Sequence, residues 1–134
     1  MSVIDASVLG ASENVDELGH AVSRAFLRAA SVRGERLSAP TIIVPEFASA
    51  LLRKGVDPSA VTDGIAAFLR VASLALRPVT IEFATRAAEL VATLGLRGCD
   101  AVYVALAESL GEDLVTLGRE QLRRAAAVVV TRAP

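Results

Sequence analysis

Short runs of consecutive apolar residues alternate along this chain with longer stretches in which apolar residues recur every three to four positions. The first rhythm reads as buried strands and the second as amphipathic helices. "SVID" (2–5) is a short apolar strand, and "DELGHAVSRAFLRAASV" (16–32) places Leu18, Val22, Ala25, Phe26 and Ala29 at helical spacing. His20 lies off that stripe, which predicts a solvated surface histidine. "RLSAP" (36–40) is a brief extended stretch. "TIIVPEFASALLRKG" (41–55) reads as a helix with Pro45 near its first turn, Lys54 in its last turn and Gly55 as its stop. "DPSAVTDGIAAFLRVASL" (57–74) opens a further helix with Asp57 as N-cap and Pro58 at the first helical position.

"LALRPV" (74–79) follows as a strand. "TIEFATRAAELVATLG" (80–95) and "DAVYVALAESLG" (100–111) are helices that each end in Gly. "DLVTL" (113–117) is a strand, "REQLRRAAA" (119–127) a short helix and "VVVT" (128–131) a last strand. Strands alternating with helices predict an α/β fold, with βαβ crossovers and a mostly parallel sheet covered on both faces. No repeat, linker or low-complexity tract divides the chain, so residues 1–134 are expected to form a single domain. In such sheets ligands bind beyond the carboxyl ends of the strands, where Asp5 stands.

Composition changes this picture little. The chain is 53% hydrophobic with few aromatics, so small aliphatic side chains should build the core. No apolar run approaches the roughly 20 residues that span a bilayer, and no secretory pattern opens the chain, so a cytoplasmic protein is expected. Cys99, the lone cysteine, excludes an internal disulfide and reads as a small buried hydrophobe. A net charge of −1 does not suggest a protein that coats nucleic acid.

Charge placement matters more. Asp5, Glu46 and Asp100 each stand at a strand end or helix start within an otherwise apolar element, and Asp100 directly precedes seven consecutive apolar residues. Taken singly, Glu46 can be a first-turn acid favoured by the helix dipole and Asp100 an N-cap. Taken together, converging carboxylates repel one another unless protonated or neutralised by a cation. Hard oxygen ligands without imidazole or thiolate select Mg²⁺ or Mn²⁺, and such an ion can activate water against a phosphodiester.

"VIDASVL", "APTIIVPEFASALL" and "LRGCDAVYVALAE" followed by "LVTL" resemble, in order and over essentially the whole chain, a PIN domain of the kind found in the ribonuclease toxins of VapBC-type toxin–antitoxin pairs. The resemblance implies a three-layer α/β/α sandwich around a mostly parallel sheet and a Mg²⁺- or Mn²⁺-dependent endoribonuclease. It puts Asp5, Glu46 and Asp100 in the catalytic metal site. Ser7 and Thr116 match hydroxyl positions that would orient carboxylates or bound water; a helix N-cap and a β-branched strand residue are equally natural readings of the two. Arg97, Arg119, Arg123 and Arg124 could meet the RNA backbone or form a solvated face. A homodimer, an RNA substrate and a cognate antitoxin are implied, with the antitoxin laid into a groove near the acids. The helices carrying Phe26, Phe47 and Phe68 could offer apolar surface to these partners or spend it on the core.

One departure stands out. The family usually carries a fourth acid two residues after Thr116, where this chain has Gly118, a residue suited to capping the next helix. Glu120 is close enough in sequence to be considered as a substitute, although a first-turn Glu has an ordinary dipole explanation, and Asp113 belongs to the other end of the strand. The rival readings are a binding module that keeps the fold and cuts poorly, and an aspartyl-phosphate phosphoryl-transfer domain. The second usually needs a lysine near the acceptor, and the only lysine, Lys54, is accounted for by helix capping.

Overall fold

The computed structural model describes residues 1–70 and 73–134. Its sheet comprises β1 (Ser2–Ile4), β2 (Leu37–Pro40), β3 (Leu74–Arg77), β4 (Asp113–Val115) and β5 (Thr131–Arg132) in the order β3-β2-β1-β4-β5. All four pairings are parallel, with Val3 opposite both Ser38 and Leu114. β1 is therefore central, and its Val3 and Ile4 are buried, as expected of a parallel strand covered on two faces. The chain adds strands on one side of β1 and then on the other. This order puts the topological switch point, and the crevice that goes with it, at the carboxyl ends of β1 and β4.

The helices are α1 (Ala6–Glu13), α2 (His20–Val32), α3 (Ile43–Arg53), α4 (Pro58–Leu69), α5 (Ile81–Leu94), α6 (Gly98–Leu110) and α7 (Arg119–Ala125). α1 packs on α2 and α3, and α3 on α4. α6 lies on β1, β2 and β4 and is covered in turn by α5, completing an α/β/α sandwich. α6 is buried at Ala101 and from Tyr103 to Ala107, the unbroken apolar run of the sequence. No single helix among the described residues is long and apolar enough to cross a membrane; α5 and α6 are bent by 112° to each other.

Local sequence explains most boundaries and several corrections. α1 is a helix that the periodicity does not announce. Its small side chains are buried on more than one side, leaving no polar face to set a period, and Asp5 caps it by accepting from Ser7 N. The helix expected from residue 16 starts only at His20, so Leu18 projects fully into solvent; Val22 and Ala25 of the expected stripe are exposed as well, and α2 buries Ser23, Phe26 and Ala30 instead. His20 is half-buried rather than solvated, with Nδ1 2.9 Å from the Ala11 carbonyl. α4 ends at Leu69, short of the expected residue 74, which instead opens β3; residues 71 and 72 of that expected helix lie outside the described residues. Residues 126–128 form the turn out of α7, and the last strand begins at Thr131, not Val128. Phe26 and Phe68 are spent on the core, while half-buried Phe47 stacks on Phe68 at 4.7 Å between centroids.

Gly95 ends α5 in the left-handed region (φ 65°), and a Cβ there would lie 2.3 Å from Arg124 Nη1. That nitrogen donates to the Leu94 and Gly95 carbonyls (3.1 and 2.7 Å), so α7 caps α5 across the site's edge. Arg124→Ala should destabilise the protein by about 1–2 kcal/mol, the range of a lost charge-assisted hydrogen bond with partial exposure. A shift in the urea midpoint checks this; a change below a few tenths would show that water replaces the cap without cost.

Candidate active site

Asp5 leaves β1 at the switch point, 8% exposed, with its backbone N–H bonded to the Val115 carbonyl (3.0 Å). Three donors converge on its Oδ2: Ser7 N at 3.0 Å, Ser7 Oγ at 2.5 Å and Thr116 Oγ1 at 3.2 Å. Ser7 Oγ in turn accepts from Leu117 N (3.2 Å), tying α1 to the end of β4. Both hydroxyl residues singled out in the sequence therefore orient the first carboxylate.

Thr116 is fully buried, and its single hydroxyl hydrogen has a second acceptor, Gln121 Oε1, at 2.7 Å. Gln121, 2% exposed, donates through Nε2 to the Asp100 carbonyl oxygen at 3.3 Å. It thus links β4 to the first turn of α6. Gln121 is not among the residues the sequence singles out, because a glutamine in a short polar helix carries no signal of burial.

Asp100 is the third residue of α6 and not its N-cap, a position held by the backbone of Arg97. Its carboxylate instead pairs with the exposed Arg97 guanidinium, Nε to Oδ2 at 2.9 Å. The third acid, Glu46, lies in the first turn of α3 and accepts a hydrogen bond at Oε2 from the hydroxyl of fully buried Tyr103. Tyr103 is likewise absent from the sequence-derived site. Its signal was available: the chain's only tyrosine, in an otherwise aliphatic run, one helical turn beyond Asp100.

The three acids line one open cleft of about 880 Å³, together with Ser7, Arg97, Cys99 and Gly118. Cys99 is exposed here, not buried, since it faces outward from the first turn of α6. The cleft is electrostatically strained by its acids. Burial first, and then the charges of Asp5 and Asp100, hold the Glu46 carboxyl above its usual range, against the lowering effect of Tyr103 and Arg97. The Tyr103 phenol is pushed up by burial and by Glu46. Among the described residues, no three acidic, histidine or cysteine side chains already enclose a common point at ligand distance. Each acid is turned to its own neighbour, Ser7, Tyr103 or Arg97.

The Glu46 shift has a consequence for the metal-free protein. A carboxyl raised in the folded state contributes stability that is complete below its unfolded value, near 4.5, and is lost as pH rises through the folded value. Glu46→Gln should therefore be more stable than the parent at neutral pH in EDTA, with the advantage vanishing as pH falls below about 4.5. Paired urea titrations across pH check the sign, and a constant difference would show that Glu46 does not carry the strain.

The remaining polar residues fall outside this centre. Glu120 is exposed, and Arg123 and Arg124 (each at 2.8 Å) pull its carboxyl down to about 2. It borders, with Asp100 and Arg119, a recess of about 450 Å³ that adjoins the main cleft at Arg97, Asp100 and Gly118, and its carboxylate is engaged by the two arginines. Asp113, at the other end of β4, pairs with Arg132 (3.3 Å). Gly118 caps α7 as expected. Lys54 is the C-cap residue of α3, at the helix end where the sequence puts it, and it also borders the acidic cleft.

Comparison with known proteins bears on this geometry. Over the full length of both chains the structure is similar to VapC20 of Mycobacterium tuberculosis, described as a toxin that cleaves the sarcin–ricin loop, with 17% identity and a TM-score of 0.79. VapBC2 of Rickettsia felis, solved with a DNA fragment from its promoter, shares 13% identity over 99% of this chain and 98% of that one (TM-score 0.73). FitAcB of Neisseria gonorrhoeae shares 16% over 98% and 96% (TM-score 0.70). At these identities the likeness is one of fold. No curated protein matches the sequence. The sequence itself matches the PIN domain family over residues 2–128, and with the parallel sheet and its switch-point cleft this places the chain in the PIN domain family.

Proposed function

We propose that the chain, acting as one unit over residues 1–134, is a divalent-metal-dependent endoribonuclease and the toxin of a toxin–antitoxin pair. The observation that carries this reading is the meeting of Asp5, Glu46 and Asp100, from three separate elements, in one cleft at the switch point. Their chemistry fits Mg²⁺ or Mn²⁺: the donors are carboxylate oxygens, and a cation would offset the charges of Asp5 and Asp100, which add to burial in holding Glu46 up. Such an ion supplies Lewis acidity and a water that deprotonates near neutral pH.

The chain's residues do the positioning. Ser7 and Thr116 hold Asp5 through Oδ2, and Oδ1 has no hydrogen-bond partner among the described residues. Tyr103 holds Glu46 by one oxygen and leaves the other available. Arg97 competes with a cation for Asp100, and on releasing it would be placed, highly exposed, to meet an RNA phosphate. Arg119 is exposed, and Arg123 could join it by giving up its ion pair with Glu120.

The partners follow the same reading. α3 separates two clefts: Glu46 lines the acidic one, while Phe47 and Leu51 line an apolar one of about 490 Å³ with Leu9, Leu27 and Phe68. The apolar cleft is the candidate seat for an antitoxin segment, in keeping with relatives solved as toxin–antitoxin complexes. A homodimer in the cytoplasm completes the proposal. Gly118 favours one alternative, a PIN-fold binding module that cuts poorly.

Purified, antitoxin-free protein incubated with total bacterial RNA decides between them. Discrete new 5′ ends that depend on Mn²⁺ or Mg²⁺ and vanish with EDTA support the nuclease. Silence from well-folded protein supports the binding module.

A further inference from the structure

Gln121 is 2% exposed and is the largest polar side chain buried among the described residues. Taking a carboxamide out of water is unfavourable unless its ends are hydrogen-bonded. A methionine would fill nearly the same volume without that penalty, so filling space does not explain a glutamine here. What the carboxamide touches does.

Its orientation is fixed by its partners. The Asp100 carbonyl can only accept, so Nε2 must face it (3.3 Å), which turns Oε1 toward Thr116 Oγ1 (2.7 Å). Thr116 is therefore the donor in that bond. Its oxygen also accepts from Gly118 N (3.0 Å) and lies 3.2 Å from Asp5 Oδ2. The hydroxyl hydrogen is thus divided between Asp5 and Gln121, and the shorter contact is the one to Gln121. A continuous chain results, from the Asp5 carboxylate through the Thr116 hydroxyl and the Gln121 carboxamide to the Asp100 main chain. It ties the end of β1 to the first turn of α6. The helix that carries the glutamine is itself held, since Arg124, three residues on, donates to the Leu94 and Gly95 carbonyls. Glu46 stands outside this chain and is held separately by Tyr103.

We infer that Gln121 is a positioning residue: acting through the Thr116 hydroxyl and the Asp100 main chain, it sets the spacing of the Asp5 and Asp100 carboxylates that a divalent cation needs. The inference rests on the metal-dependent reading and adds to it a residue that works from outside the three carboxylates. Groups that orient metal ligands govern affinity because a ligand free to turn must be ordered again each time the ion binds.

The test measures Mn²⁺ affinity without RNA, from the electron paramagnetic resonance signal of the free ion. Gln121→Met should weaken binding about tenfold, the lower end of what partners of metal ligands contribute. Gln121→Asn keeps a carboxamide but is one methylene too short to span both partners, and should lose the same affinity. Thr116→Ser retains the hydroxyl and should stay close to the parent. In a Thr116→Val background the link is already cut, so Gln121→Met should weaken binding by less than about threefold more, since residues of one network are not additive. Urea midpoints in EDTA report the folding of each variant. If Gln121→Met lowers the midpoint and leaves Mn²⁺ affinity at the parental value, the glutamine is structural and the inference is overturned. It is equally overturned if the loss of affinity is as large without the Thr116 hydroxyl as with it. A parent that binds no Mn²⁺ removes the metal-dependent reading itself, and the role of Gln121 with it.

Discussion

Asp5→Asn is expected to reduce metal-dependent RNA cleavage by more than about 100-fold, since loss of groups that merely support metal ligands already costs 10–100-fold. The fold should survive. All three donors to Asp5 converge on Oδ2, so an asparagine can present its amide oxygen there and turn its NH₂ toward the cleft. Asparagine is also as good an N-cap as aspartate, so α1 keeps its start. The substitution therefore removes one negative charge and one cleft-facing acceptor and little else. Initial rates over a Mn²⁺ titration, with urea midpoints in EDTA, measure both halves. A variant that is stable and still cuts at parental rates would remove Asp5 from the chemistry and leave its role as a helix cap.

That double role explains how much of the site could be read from the sequence. Asp5, Glu46 and Asp100 were conspicuous because each interrupts an apolar element, and an acid in such surroundings needs a reason. The parallel sheet was legible for a related reason: strands buried on both faces are nearly continuous apolar runs, bounded here by Gly and Pro. What stayed hidden lacked contrast. α1 is built of small buried residues with no polar face, so no period marked it. Gln121 and Tyr103 look ordinary in sequence because their importance depends on what the fold brings to them: the Thr116 hydroxyl and Asp100 carbonyl for one, the Glu46 carboxylate for the other. Cys99 is exposed against the expectation from its type, since residue type predicts burial only on average.

Gly118→Asp should tighten Mn²⁺ binding about tenfold, worth about 1.4 kcal/mol of added stability at saturating metal, and should raise the cleavage rate. The backbone at Gly118 is extended (φ −72°, ψ 106°), so a side chain brings no strain there. Its Cβ would stand 3.4 Å from Thr116 Oγ1 and 3.5 Å from Gln121 Cβ and Oε1, distances the site can take with small adjustments. Aspartate improves on glycine as the cap of α7 by a few tenths of a kcal/mol. It also adds a fourth charge to a cleft where burial, and then the charges of Asp5 and Asp100, already hold Glu46 up, so without metal the cap gain is offset and the urea midpoint should rise little or fall. Only with the cation present does the added carboxylate become favourable, which makes the sign of its effect metal-dependent. Gly118→Asn separates the two contributions, since it supplies the same cap without the charge. If Asp and Asn at this position bind Mn²⁺ equally and cut equally, the fourth acid is not what this cleft lacks, and the three carboxylates it has define its chemistry.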